Sequence, residues 1–173
     1  MLRFIYSRSL LSIIFIMAAL LAVWGYLCAR MRRLRWQWGK LVLAVASVAL
    51  ILYVTLLNRE PGTTTVILCP FVALVAARQQ PELYREMLMN VFLFFPLGLT
   101  LSGALPQRWH RWVRIGITTG FACLFSAGIE CAQYRFALGM AETDDVICNT
   151  LGAFLGSASL LLAHAVEKRK ERR

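Results

Sequence analysis

The stretch Glu142-Thr143-Asp144-Asp145-Val146-Ile147-Cys148-Asn149-Thr150-Leu151-Gly152-Ala153-Phe154-Leu155-Gly156 decides how this chain is read. It opens with three carboxylates and continues into an apolar run that holds Asn149, Gly152 and Gly156. At 3.6 residues per turn, Asp145, Asn149, Gly152 and Gly156 fall at i, i+4, i+7 and i+11, on one helix face. That face is polar at its start and glycine-lined below. The Gly152-x-x-x-Gly156 spacing lets a neighbouring helix approach at backbone distance. From Val146 to Val166 the run reaches the roughly 20 residues that a bilayer crossing needs.

Upstream, two further apolar runs repeat this design. Ser126, Glu130 and Gln133 stand at i, i+4 and i+7, again on one helix face. Glu86 and Asn90 are four residues apart, with Gly98 and Ser102 continuing as small residues. Gly116-x-x-x-Gly120 offers a second close-packing spacing. An ionisable group at the centre of a bilayer costs about 2.5–3.5 kcal/mol on insertion scales. A chain that places Glu130 and its polar neighbours in such runs is expected to gather them into one site.

Composition supports this reading. Of 173 residues, 59% are hydrophobic and only 16% charged, and mean hydropathy is +0.62. A soluble domain of this size is less apolar and more charged. The expected fold is all-α, a polytopic bundle forming a single membrane domain over residues 1–173. Five spans are predicted: Leu10–Ala29, read as a retained helix and not a cleaved signal, then Leu41–Leu57, Met87–Leu105, Val113–Gln133 and Val146–Val166. Pro96 is expected to kink the third. The run Thr65–Ala77 is too short to span and contains Pro70, so it is read as re-entrant, interfacial or packed on the bundle.

The net charge of +10 does not point to nucleic acid, because the cations flank apolar runs, where topology accounts for them. Arg30, Arg32, Arg33, Arg35 and Lys40 follow the first span. Arg108, Arg111 and Arg114 follow the third, and a basic tail at 167–173 follows the fifth. With five spans all three groups share one side, which the positive-inside rule makes cytoplasmic. The N-terminus is then outside, and Glu86, Asn90, Gln133, Asp144 and Asp145 lie at the outer ends of spans three to five. The five cysteines form no CxxC pair and suggest no zinc site.

At this point the residues resemble the VanZ-like family of bacterial membrane proteins. The resemblance rests on Arg85-Glu86-x-x-x-Asn90, Phe95-Pro96-Leu97-Gly98, Ser126-x-x-x-Glu130-x-x-Gln133 and the Glu142–Gly156 block, and covers residues 85–156. Family members often carry an Arg shortly before the acidic cluster. Here Gly139 and Met140 occupy that place, with Arg135 nearby. The resemblance implies a multi-pass protein of the bacterial plasma membrane. The family's founding member is associated with resistance to teicoplanin, an acylated glycopeptide, and not to vancomycin.

Three functions remain open on the sequence. The first is a non-enzymatic envelope or antibiotic-resistance factor. Its outward pocket, drawn from Arg85, Glu86, Asn90, Ser126, Glu130, Gln133, Asp144, Asp145 and Asn149, would engage membrane lipids and a lipid-linked envelope precursor or lipoglycopeptide. The second is an enzyme acting on an envelope lipid or cell-wall precursor, with Glu130 as candidate general base and Glu142, Asp144 and Asp145 as weak metal ligands. No nucleophile elbow, metal–His motif or phosphate loop supports it. The third is a small transporter or proton-coupled helper, with Glu130 as relay. No cofactor is expected. Gly98, Gly116, Gly120, Gly152 and Gly156 are expected to pack helices, and their faces would allow a homo-oligomer.

Overall fold

Backbone N–H and C=O groups have no water to bond inside a bilayer, so an apolar chain that crosses one must pair them internally, as a helix does. The computed structural model describes residues 37–57, 65–77 and 80–170, and most of them are helical. Helix α1 runs Gln37–Leu52 and ends in a π-helical stretch, Tyr53–Leu57. A short strand β1, Thr65–Ile67, and a short helix α2, Val72–Ala76, follow. Then come α3, Pro81–Ala104, and α4, Arg111–Arg135. Strand β2, Met140–Glu142, leads directly into α5, Thr143–Lys170.

Three helices among the described residues are long and apolar enough to cross a membrane: Trp38–Leu57, Glu82–Ala104 and Arg111–Arg135. They cover the second, third and fourth expected spans. The fifth expected span falls within α5, a 28-residue helix about 42 Å long at 1.5 Å per residue. The expected span Leu10–Ala29 lies outside the described residues. Pro96 sits inside α3, whose helical run continues to Ala104.

Hydrogen bonds and close approaches fix the relative directions. Val91 lies beside Gly152 and Phe95 beside Gly156, so both partners advance by four residues together and α3 runs parallel to α5. Ser126 meets Asn149 and Glu130 meets Glu142, which makes α4 antiparallel to α5. Gln133 near the end of α4 meets Thr55 near the end of α1. One end of the bundle therefore gathers the end of α1 and the starts of α3 and α5 around the end of α4.

The apolar core draws on all four long helices of the described residues: Ile51, Phe94, Leu97, Ala122, Ile129 and Ala153. Phe125 joins it, with its ring centroid 6.1 Å from that of Phe94. The outer face of α4 is apolar as well: Trp112, Val113, Ile117, Phe121 and Leu124 are all exposed. Such a continuous exposed apolar face suits lipid, not water.

Glycine decides the tightest contact. A Cβ added at Gly152 would collide with the Val91 carbonyl, one at Gly156 with the Phe95 carbonyl, and one at Gly98 with the Ala153 carbonyl. Only glycine lets α3 and α5 pack this closely. Gly116 and Gly120 differ from the expectation: a Cβ at either position meets nothing within 4 Å. They lie on the outward side of α4, so their spacing closes no contact among the described residues.

The Thr65–Ala77 segment is neither a single helix nor a plain loop. β1 pairs parallel with β2, with Thr65 opposite Met140, Val66 opposite Ala141 and Ile67 opposite Glu142. The pairing brings the segment to the start of α5.

Candidate functional site

The site is assembled at the end of the bundle where α4 finishes and α5 begins. Ser126, Glu130 and Gln133 occupy the inward stripe of α4 and are all buried. Each reaches a different element. Ser126 Oγ accepts a hydrogen bond from Asn149 Nδ2 at 2.9 Å, linking α4 to α5. Glu130 Oε2 accepts from the Glu142 backbone N–H at 3.0 Å, holding β2. Gln133 Nε2 donates to the Thr55 carbonyl at 3.0 Å. That carbonyl belongs to the last turn of a helix, where carbonyls lack intrahelical donors. Thr55 Oγ1 in turn donates to the Ile51 carbonyl at 2.7 Å.

Asn90 of α3 closes the cluster from the far side of α5, its Nδ2 donating to Asp145 Oδ1 at 2.7 Å. Six residues of the expected pocket, Asn90, Ser126, Glu130, Gln133, Asp145 and Asn149, therefore lie on or against the first two turns of α5 and the last turns of α4. Arg85 is half-buried, and Glu86 is exposed one turn before Asn90.

Asp144 does something the sequence did not suggest. Its carboxylate accepts from the Phe71 N–H at 2.5 Å and from the Ala73 N–H at 2.7 Å. Phe71 is the N-cap residue of α2 and Ala73 lies in its first turn, where N–H groups lack intrahelical acceptors and a negative charge is favoured. Phe71 is held at φ 65°, a left-handed conformation that a bulky residue rarely adopts without outside support. Thr143 Oγ1 donates to the Leu68 carbonyl at 3.1 Å. The two residues that open α5 thus bind the β1–α2 segment, with both Asp144 oxygens engaged. Among the described residues no group of three or more His, Cys, Asp or Glu side chains is placed to hold a metal ion. Glu142, Asp144 and Asp145, adjacent in sequence, do not converge as metal ligands.

The α4–β2 turn that delivers Glu142 to Glu130 is sharp. Ala137 has φ 54° and Gly139 φ 135°, the latter a region that only glycine enters freely. Leu138 N–H closes the turn on the Gln133 carbonyl at 2.9 Å.

Two side-chain acceptors in the cluster stay empty. Gln133 Oε1 and Asn149 Oδ1 are buried and have no hydrogen-bond partner among the described residues. The Gln133 amide is oriented by the Thr55 carbonyl, which can only accept, so its oxygen is the unsatisfied atom. A buried polar atom without a partner costs about 1–3 kcal/mol, and such atoms call for an explanation, often a functional one.

The opposite end of the bundle is built differently. Arg114, counted by sequence with the basic loop, is buried in α4. Its Nε donates to the Ser102 carbonyl at 3.0 Å and a second nitrogen reaches the same oxygen. Its third nitrogen donates to Gln107 Oε1 at 3.1 Å. A cation at the carbonyl end of α3 complements the helix dipole. The signal was present in the sequence, since Arg114 falls inside the apolar run Val113–Gln133.

The VanZ/LLP1 family model matches residues 17–164. Protein VanZ from Enterococcus faecium is 39% identical over 75 residues. That match spans 42% of this chain and 42% of the relative, less than half the length of either. No solved structure matches the chain. With most of its length inside the family model, this helical membrane protein belongs to the VanZ/LLP1 family and is a distant homologue of VanZ.

Proposed function

We propose that this protein is a non-enzymatic envelope factor of the bacterial plasma membrane that lowers susceptibility to acylated glycopeptides such as teicoplanin. It does so by engaging a lipid-linked or lipid-anchored molecule at the α4–α5 polar end. The observation that carries the reading is the pair of buried acceptors, Gln133 Oε1 and Asn149 Oδ1, that have no partner among the described residues. They lie on either side of Glu130 along the bundle and suit a ligand that brings N–H or O–H donors. Family membership supplies the class of compound.

The proposal includes a topology of five spans, with the N-terminus outside and the C-terminus cytoplasmic. The alternating directions of α1, α3, α4 and α5 support four of those crossings. The basic residues after α3 and at the end of α5 then lie inside, and the polar cluster opens to the outer leaflet. A reporter fused after Arg173 should read as cytoplasmic, and an external reading would overturn the topology.

The functional test is the susceptibility of a sensitive Gram-positive host that expresses the protein. Protection against teicoplanin without protection against vancomycin is expected. Equal susceptibility to teicoplanin with and without the protein would remove this function.

A further inference from the structure

An open groove of about 400 Å³ runs along the flank of the α4–α5 seam. Thr119 and Cys123 of α4 form one wall, and Ile147, Thr150, Leu151 and Phe154 of α5 the other. Its volume lies in the range of small-molecule sites, about 300–1,000 Å³. The lining is apolar except for the hydroxyls of Thr119 and Thr150, which have no hydrogen-bond partner among the described residues.

We infer that this groove is a binding site for one acyl chain of an outer-leaflet amphiphile, with the polar head of the same molecule directed to the α4–α5 cluster. Three observations select that occupant. The first is depth. The α5 wall starts three residues below Thr143 and ends at Phe154, about 5–17 Å along the helix. One leaflet of hydrocarbon is about 15 Å thick, half of a 30 Å core. The groove therefore fits within a single leaflet, on the side where the cluster lies.

The second is continuity. Cys123 is one turn from Ser126, and Thr150 adjoins Asn149, so the groove starts beside the Ser126–Asn149 hydrogen bond. A molecule with a donor-bearing head and an apolar tail matches the order of surfaces met along the seam: polar at the end, apolar below. The third is access. Leu151 and Phe154 are more than a third exposed, and the groove opens away from the core onto the flank that a bilayer would surround. This inference rests on the functional reading above and deepens it, by giving the ligand a tail and the tail a place.

The test is native mass spectrometry of the full chain, moved from dioleoylphosphatidylglycerol nanodiscs into detergent. Wild type should retain one lipid. A lipid with the same head and hexanoyl chains should be retained about tenfold less, as expected when roughly two or more buried methylenes are lost. Cys123→Trp and Leu151→Trp, which fill the groove from opposite walls, should reduce retention of the long-chain lipid by a similar factor. Leu124→Trp, on the exposed face of α4 outside the groove, should keep it. If Cys123→Trp does not insert into the membrane, Leu151→Trp and Thr150→Phe carry the test.

Equal retention of long and short chains, or full retention in the groove-filled variants, would overturn the inference. So would a lipid-free dimer that oxidises to a Cys123–Cys123 disulfide, which would put a second copy in the groove. Retained lipid in a protein that confers no teicoplanin protection would sink the functional reading and leave the groove assignment standing.

Discussion

Along α5, the seam with α3 is closed by Gly152 and Gly156 against the backbone at Val91 and Phe95. The seam with α4 is bridged by Asn149 and Ser126, flanked by a groove, and left with unpartnered acceptors. One helix thus presents a dry, backbone-tight surface to one neighbour and a hydrogen-bonded, incompletely satisfied surface to the other. The first arrangement tolerates no added atom and holds α3 and α5 as a rigid pair. The second leaves polar capacity unused beside an apolar opening, as a binding surface must. The difference separates scaffold from site within a single helix.

The comparison can be broken most forcefully on the glycine side. Gly152→Leu would drive a side chain into the Val91 carbonyl. Overpacking costs about 1–3 kcal/mol even where side chains can shift, and here the obstacle is backbone, so the cost should reach or exceed the top of that range. Thermal unfolding in detergent should show a large loss of stability or no folded protein. A stable Gly152→Leu variant would mean that α3 and α5 are not in backbone contact.

A smaller effect is expected at the start of α5. Asp144→Ala removes the side-chain acceptor of two N–H groups at the start of α2, and leaving buried donors unpaired costs about 1–3 kcal/mol each. Hydrogen exchange should accelerate across residues 65–77 while α3 and α4 keep their protection. Uniform protection would show that β1–β2 pairing alone holds the segment.

On the polar side, Asn149→Leu removes one interhelical hydrogen bond, and such bonds average about 0.6 kcal/mol in membranes. It also removes an unpartnered oxygen, so stability should change little while protection against teicoplanin falls. A large loss of stability with protection intact would make Asn149 scaffold. The smallest effect belongs to Gly116→Ala, whose Cβ meets nothing: the change should stay within about 0.5 kcal/mol. A marked loss would expose a partner on that face.

Much of this organisation was legible in the sequence, for identifiable reasons. Hydropathy marked the runs that became α1, α3 and α4, because bilayer-length apolar segments leave the backbone few alternatives. Helical spacing put Ser126, Glu130 and Gln133 on one stripe, and the structure places that stripe inward, with Ser126 against Asn149. The i, i+4, i+7 rule depends only on local geometry, so it survives into the fold.

What escaped detection was non-local. The pairing of Thr65–Ile67 with Met140–Glu142 joins segments more than seventy residues apart through three-residue strands, too short for any periodicity to show. Asp144 could not be read as a cap for α2, because α2 itself was not foreseen. Gly116-x-x-x-Gly120 had the spacing of a packing motif and closes no contact among the described residues. A spacing states which residues share a face, not which face meets a neighbour.

The most direct test of the central claim is Glu130→Gln, measured for stability and for teicoplanin susceptibility at matched membrane levels. The amide oxygen of Gln can still accept from the Glu142 N–H, so stability should stay within about 1 kcal/mol of wild type. The expected result is a folded protein that no longer protects against teicoplanin. A folded Glu130→Gln protein that protects as well as wild type would contradict the assignment of function to the α4–α5 polar end.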